Sequence, residues 1–201
     1  MTYLNYRGQF RREMPWLYDR ARDAALAKHV KEGGASTDAF ELRVVEYHVV
    51  KPGGGSALDP LHVDGGSLVT VDIMLQNTFT GGTFTTLEDG VARSHPAFED
   101  PGDAVLFVSL KRHQVTRLEQ GERRVLVLEF WDGAERHCAH RCDTEHGLCV
   151  VLEHEKIINA DEWLANGFKD SFFDVVDLDE AASAMHALKV EEKEEALPIN
   201  T

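Results

Sequence analysis

His62 and Asp64 stand two positions apart in Leu61-His62-Val63-Asp64; His113 follows Asp64 by 49 positions, and Arg123 follows His113 by ten. Two imidazoles and one carboxylate are the protein ligands of a facial iron(II) site with open positions. Side chains alternate along a strand, so His62 and Asp64 point the same way and can grip one metal from a single strand end. His113 must then arrive from a distant strand. Arg123 offers a rigid, permanently charged fork suited to a carboxylate. An H-x-D tripeptide in a chain with ten His is a weak signal by itself, and a lone histidine more often serves a core or a surface. The reading rests on the four residues taken together.

Such a set needs strands to carry it, and the apolar periodicity supplies them. Residues 1–40 read as helical. Pro15 suits a first helical turn, Leu17, Ala21, Ala24, Ala25 and Val30 recur at roughly helical spacing, and Gly33-Gly34-Ala35-Ser36 ends the pattern. From Glu41 the period becomes two: Leu42 and Val44, then Val45, Tyr47 and Val49, predict a strand with a bulge between. Lys51-Pro52-Gly53-Gly54-Gly55-Ser56 lacks the Gly-Lys-Ser/Thr ending of a phosphate loop and reads as a flexible lip beside the metal strand. Val69, Val71, Ile73 and Leu75 alternate toward an apolar layer, with Leu68, Thr70, Asp72 and Met74 on the other face. Further strand signals fall at 83–87, 104–108 and 125–131. Short strands parted by Gly, Pro and Asp turns predict an all-β sandwich or barrel.

Several motifs occur in a fixed order along 43–131. They are Val45-Glu46-Tyr47-His48, Leu61-His62-Val63-Asp64, the strand from Thr70 to Leu75, and Phe79-Thr80-Gly81-Gly82-Thr83-Phe84. Pro101-Gly102-Asp103-Ala104-Val105-Leu106-Phe107, His113-Gln114-Val115-Thr116 and Gly121-Glu122-Arg123 complete the series. In this order they resemble the catalytic domain of the Fe(II)- and 2-oxoglutarate-dependent oxygenases, in the prolyl-4-hydroxylase-like branch. The resemblance implies a mainly β fold: a double-stranded β-helix (jelly-roll, cupin-like) core with flanking N- and C-terminal helices. It implies Fe(II) on His62, Asp64 and His113, with 2-oxoglutarate and dioxygen as cosubstrates and ascorbate as an optional accessory. The implied reaction is hydroxylation of a C–H bond, peptidyl proline among the candidates, coupled to decarboxylation of 2-oxoglutarate to succinate. Arg123 would grip the distal carboxylate; Arg124 is its rival, but the two point to opposite faces of one strand, and the ten-residue spacing from His113 favours Arg123. Tyr47 is either a second partner of that carboxylate or a core aromatic, and Thr70 would line the same pocket.

A second constellation lies outside these motifs. Cys138, Cys142 and Cys149, all the cysteines of the chain, fall with three histidines inside 137–149. That density invites a second metal, namely structural zinc, yet the spacing matches no familiar finger. A disulfide plus a free thiol and a plain His-rich loop are the other readings, and the sequence leaves all three open. Beyond it, Asn159 with Glu162 resembles a capping box before Trp163, Leu164 and Phe168. Phe172, Phe173, Val175 and Val176 would cover the barrel or a dimer surface, and 191–195 forms a charged end. The expected organisation is a single domain: helical support at 1–40, a catalytic core at 41–133, a Cys/His-rich segment at 134–156 and a helical, acidic-tailed segment at 157–201.

Composition bounds the function. The 201 residues carry a formal net charge of −14 with 43% hydrophobic residues, enough apolar matter for a packed core. The acidity argues against general nucleic-acid binding or an anionic membrane surface. No apolar run suits a membrane span and the first residues lack a signal-peptide core, so a cytoplasmic location is expected. The expected partner is a peptide or small-molecule substrate; oligomeric state has no signature. Two other classes compete: a sensor of the same fold that binds metal and 2-oxoglutarate without turnover, and a zinc-binding interaction protein centred on the cysteines. A zinc hydrolase on the same triad would leave Arg123 and Gly81-Gly82 without a role.

Overall fold

The alternating residues of 69–75 and 125–130 pair with one another and build the centre of the protein. The computed structural model describes residues 1–52, 62–96, 98, 100–142 and 149. Within them the chain forms β1 (Thr2–Tyr3), α1 (Gln9–Glu13), α2 (Pro15–Lys31), β2 (Phe40–Val50) and β3 (Val69–Gly81). β4 (Phe84–Glu88), β5 (Val91–Ser94), β6 (Ala104–Val108), β7 (His113–Val115) and β8 (Leu118–Asp132) follow. They make a larger sheet in the order β1-β2-β8-β3-β6 and a smaller one in the order β5-β4-β7, with every pairing antiparallel. The protein is mainly β, a jelly-roll-type core of two antiparallel sheets. No helix among the described residues is long and apolar enough to cross a membrane.

The larger sheet is buried on both faces. Outward from the barrel, Val69, Val71, Ile73 and Leu75 of β3 and Leu126, Leu128 and Phe130 of β8 pack with Phe10, Leu17, Tyr18, Ala21 and Ala25 of the helices. α2 therefore packs against the outer face of the larger sheet. Pro15 stands in its first turn, and Lys28, His29 and Lys31 stand in its last, where cations favour the helix dipole. Inward, Met74 and Val125 join Phe84, Phe98 and Phe107 in a second apolar cluster against the smaller sheet. The bulge in β2 lies between Leu42 and Val44, ahead of the expected break between Val44 and Val45. It turns Arg43 to donate to Gly65 O (2.8 Å), Ser67 Oγ (3.1 Å) and Cys142 O (2.8 Å).

Four elements differ from expectation. The first residues are an edge strand, Thr2 and Tyr3 pairing with Tyr47 and Glu46; two residues carry no periodicity to reveal it. β8 begins at Leu118 rather than 125, because the polar run from Glu119 to Arg124 pairs with the equally polar end of β3, Gln76 to Thr80. β5 is exposed along its length and β7 has three residues, so neither shows an apolar pattern. The lip at 53–61 and the readings on 157–201, including the Asn159–Glu162 cap and the apolar run from Phe172, lie outside the described residues.

Gly121 makes the long β3–β8 pairing possible. It sits opposite Phe79 at φ +80°, and a Cβ there would lie 1.9 Å from Thr78 O. Gly121→Ala combines left-handed strain with a backbone collision, so it should cost at least about 1–3 kcal/mol. Urea unfolding measures this; a loss below about 0.5 kcal/mol, the level of an ordinary surface change, would show that the strand crossing does not need glycine.

Candidate metal centre

Sequence alternation carries into the site. His62 is bridged to His113, whose backbone N–H donates to His62 O at 2.9 Å. Asp64 N–H donates to Ser109 O at 2.8 Å. The segment 62–64 is thus an extended strap laid antiparallel beside 109–113, held by an isolated bridge rather than a full ladder. Its alternation still holds: His62 and Asp64 face inward, while Val63 is exposed. β7 delivers His113 because Thr86 and Thr85 of β4 pair with His113 and Gln114.

The three candidate ligands meet. His62 Nε2 lies 3.8 Å from Asp64 Oδ1, and His113 Nε2 lies 3.7 Å from Asp64 Oδ2. One ligand atom from each falls within 4.8 Å of the others, close enough for a single ion to touch all three. His113 Nδ1 lies 2.9 Å from Lys111 O; a carbonyl only accepts, so the proton is on Nδ1 and the Nε2 lone pair faces Asp64. Burial lowers the His113 pKa against the opposing charge of Asp64, which favours the neutral, metal-binding imidazole. Its ring packs on Phe107 (centroids 4.6 Å) and Phe84 (5.6 Å), and these rings fix its plane. The donor set fits a divalent metal of the iron class.

Thr70, fully buried, donates to Asp64 Oδ2 at 2.7 Å and pairs with Ser109 Oγ at 2.9 Å. Its hydroxyl orients the carboxylate, which places Thr70 behind the metal ligands. Arg123 is 2% exposed, and its Nε and Nη2 are buried without a hydrogen-bond partner among the described residues. A buried guanidinium with unspent donors is costly unless an anion completes it. Burial lowers its pKa, opposed by the charge of Asp72. The Phe98 ring lies 5.7 Å away. A Cβ on Gly82 would meet Leu118 Cδ1 at 2.8 Å and Arg123 Cδ at 3.5 Å, so the Gly81-Gly82 turn leaves room for the arginine's stem. Arg124 instead faces out, donating to Glu122 at 2.6 Å.

Tyr47 is a correction. Along β2, Val50 pairs with Arg123 and Tyr47 with Leu126. Positions three apart face opposite ways, so Tyr47 is turned away from Arg123 and packs in the outer apolar layer with the helices. The core-aromatic reading is the one its position supports.

Several inner residues escaped the sequence reading. Glu129 accepts from Ser67 Oγ at 2.5 Å, and Arg141 Nη1 lies 2.6 Å from its Oε1. The same guanidinium comes within 3.6 Å of Glu46 and 3.7 Å of Asp64. Burial opposes charge on Glu46, yet His48 and Arg141 hold its carboxyl below the usual range. Burial raises Glu129 to about 7, with the Asp64 charge adding to it. Burial likewise raises Asp72 to about 7 against the pull of Arg123. Glu129 and Asp72 had a signal: each is a lone charge inside an apolar strand. Arg141 had none. Cys138, Cys142 and Cys149 are buried, and no disulfide joins them among the described residues.

No family model and no curated protein matches the chain. Among solved structures it is similar to an oxidoreductase of the 2OG-Fe(II) oxygenase family from Burkholderia pseudomallei, with 23% identity, 51% of this chain and 49% of that one covered, and TM-score 0.41. It is also similar to a Pseudomonas putida prolyl-4-hydroxylase, with 21% identity, 44% and 51% covered, and TM-score 0.37. A cupin protein from Bacteroides fragilis shows 14% identity, 52% and 78% coverage, and TM-score 0.31. The matched region spans about half the length of the first two. Similarity of this degree carries no activity across.

The raised Asp72 has a consequence for stability. An unfolded Asp titrates near about 3.9, so in the metal-free protein the folded state holds the extra proton up to about 7. The stability this gives is complete below the ordinary Asp range and is lost as pH rises through about 7. Melting temperature should fall between pH about 4 and about 7, and Asp72→Asn should flatten part of that fall. A profile that the substitution leaves unchanged would mean Asp72 is ionised throughout.

Proposed function

We propose that this protein is an Fe(II)- and 2-oxoglutarate-dependent dioxygenase that hydroxylates substrate C–H bonds. One observation carries the reading: a His62–Asp64–His113 ligand set shares a barrel interior with a buried guanidinium, Arg123, whose Nε and Nη2 are unspent. A metal hydrolase needs the triad but gives Arg123 nothing to hold. A dicarboxylate that chelates the metal at one end and meets the arginine at the other accounts for both.

His62, Asp64 and His113 would hold the iron on one face, leaving positions open. Thr70 keeps Asp64 turned to the metal, and Lys111 O keeps His113 in its binding tautomer. Arg123 would take the distal carboxylate of 2-oxoglutarate in a directional, charge-assisted pair. Phe84, Phe98 and Phe107 keep water from the inner wall, which protects reactive chemistry from side reactions. When bound, iron and 2-oxoglutarate supply the oxidising power: one oxygen atom enters succinate, carbon dioxide leaves, and the other oxygen becomes the new hydroxyl. His62 is half-buried while Asp64 and His113 are buried, so substrate approaches from the His62 side. A peptide, with proline among its candidate residues, or a small molecule fits this reading.

Three substitutions test it. Arg123→Ala should weaken 2-oxoglutarate binding to the iron-loaded protein by about 10- to 100-fold, the value of a charged hydrogen-bonded pair, and leave iron affinity unchanged; anaerobic calorimetry reads both. Arg124→Ala should do neither, and an equal loss there would mean the wrong arginine faces the site. His113→Ala should abolish iron-dependent succinate release while keeping a cooperative melt. Succinate release that persists in that variant would remove His113 from the ligand set.

A further inference from the structure

The segment after β8 carries a second ligand cluster, separate in composition from the first. Between Gly133 and Cys142 no helix or strand holds the chain. Cys138, Cys142 and Cys149 are nevertheless buried, at 6%, 2% and 4% exposure, and form their own small cluster apart from both apolar cores. His140 joins them. One ligand atom from each of Cys138, His140, Cys142 and Cys149 lies within 4.8 Å of the others, and Cys149 Sγ is 3.5 Å from His140 Nε2. A tetrahedral ion with bonds of about 2.3 Å to sulfur and about 2.0–2.1 Å to nitrogen sets its ligands roughly 3.5–3.8 Å apart. Three small thiols with an imidazole bury too little apolar surface to order an irregular segment, whereas a closed four-ligand metal site orders one directly.

We infer that Cys138, His140, Cys142 and Cys149 form a structural Cys3His zinc site. Its soft thiolate donors differ in kind from the imidazole and carboxylate donors of the first centre, so the two sites sort their metals by ligand chemistry. The site also has a bearing on its neighbour. Arg141 lies between two of the ligands and reaches Glu129 and Asp64, and Arg43 donates to the carbonyl of Cys142 at 2.8 Å. An ion bound here pins the wall of the barrel mouth next to Asp64. The zinc assignment itself does not rest on the dioxygenase reading.

Metal analysis of the purified full chain, dialysed to remove loosely bound ions, tests this. The expected result is one zinc per chain, kept in His62→Ala/His113→Ala and lost in Cys142→Ser and His140→Ala. His140→Cys should keep it, because a fourth thiolate still closes the tetrahedron. Cobalt(II) titration of the zinc-free wild-type chain gives an answer even if a cysteine variant fails to fold. Thiolate-to-cobalt charge transfer with tetrahedral visible bands is expected, and the charge transfer should strengthen in His140→Cys. A zinc-free native chain whose three thiols react freely, or cobalt spectra without thiolate bands, overturns the proposal. So does zinc that survives Cys142→Ser but disappears in His62→Ala/His113→Ala, which would place the ion in the first centre and count against iron there as well.

Discussion

The register of β3 against β8 is the constraint on which the rest of the molecule depends. It pairs Thr70 with Glu129, Asp72 with Val127 and Asn77 with Arg123. That choice turns Thr70, Asp72 and Met74 inward together with Arg123, Val125, Val127 and Glu129, and turns Val69, Val71, Ile73, Leu126, Leu128 and Phe130 out to the helices. A slip of one residue would exchange the two sets. It would put the charged residues against α2 and the apolar ones around the metal ligands. The cost of burying three charged side chains, Asp72, Arg123 and Glu129, in an apolar layer makes that alternative inaccessible, so the same alternation that forms the core also fixes the site.

Inside the barrel, burial and charge are set against each other. Asp64, Asp72, Glu46 and Glu129 are buried there, answered by Arg43, Arg123 and Arg141. Desolvation pushes Asp72 and Glu129 up to about 7, while Glu46, next to His48 and Arg141, goes down. Asp64 is the carboxylate both imidazoles approach, and a hydroxyl from Thr70 directs it. A divalent cation at that point would relieve the acidic interior, and an anion at Arg123 would use its free donors. Arg123 and the triad both belong to the barrel interior, as the proposed iron and 2-oxoglutarate chelate requires.

Much of this was legible in the sequence, and the failures have physical causes. His62, Asp64, His113 and Arg123 could be read because strand alternation and residue chemistry are local properties. Two adjacent valines, Val44 and Val45, signalled a bulge in β2, but it falls one residue earlier, at Arg43. The choice of Arg123 over Arg124 used the parity of one strand together with the ten-residue spacing from His113. Tyr47 failed because its facing depends on its register against β8, which pairs it with Leu126 and not with an inner residue. Thr70 was placed in the right interior but beside Asp64, since its partner comes from a strap outside any strand. Arg141 could not be read at all: an irregular segment delivers it, and irregular backbone has no period. The fourth member of the cysteine cluster, His140, became apparent only when folding brought Cys149 back beside it.

The most direct test of the central claim is anaerobic titration of the metal-free protein with Fe(II) and then 2-oxoglutarate, following the visible metal-to-ligand charge-transfer band of the chelate. The account predicts that the band appears at equimolar 2-oxoglutarate, is absent in His62→Ala, and needs a higher 2-oxoglutarate concentration in Arg123→Ala. A well-folded protein that binds Fe(II) and shows no band would contradict it, because the triad and the arginine would then not be serving one chelated cosubstrate.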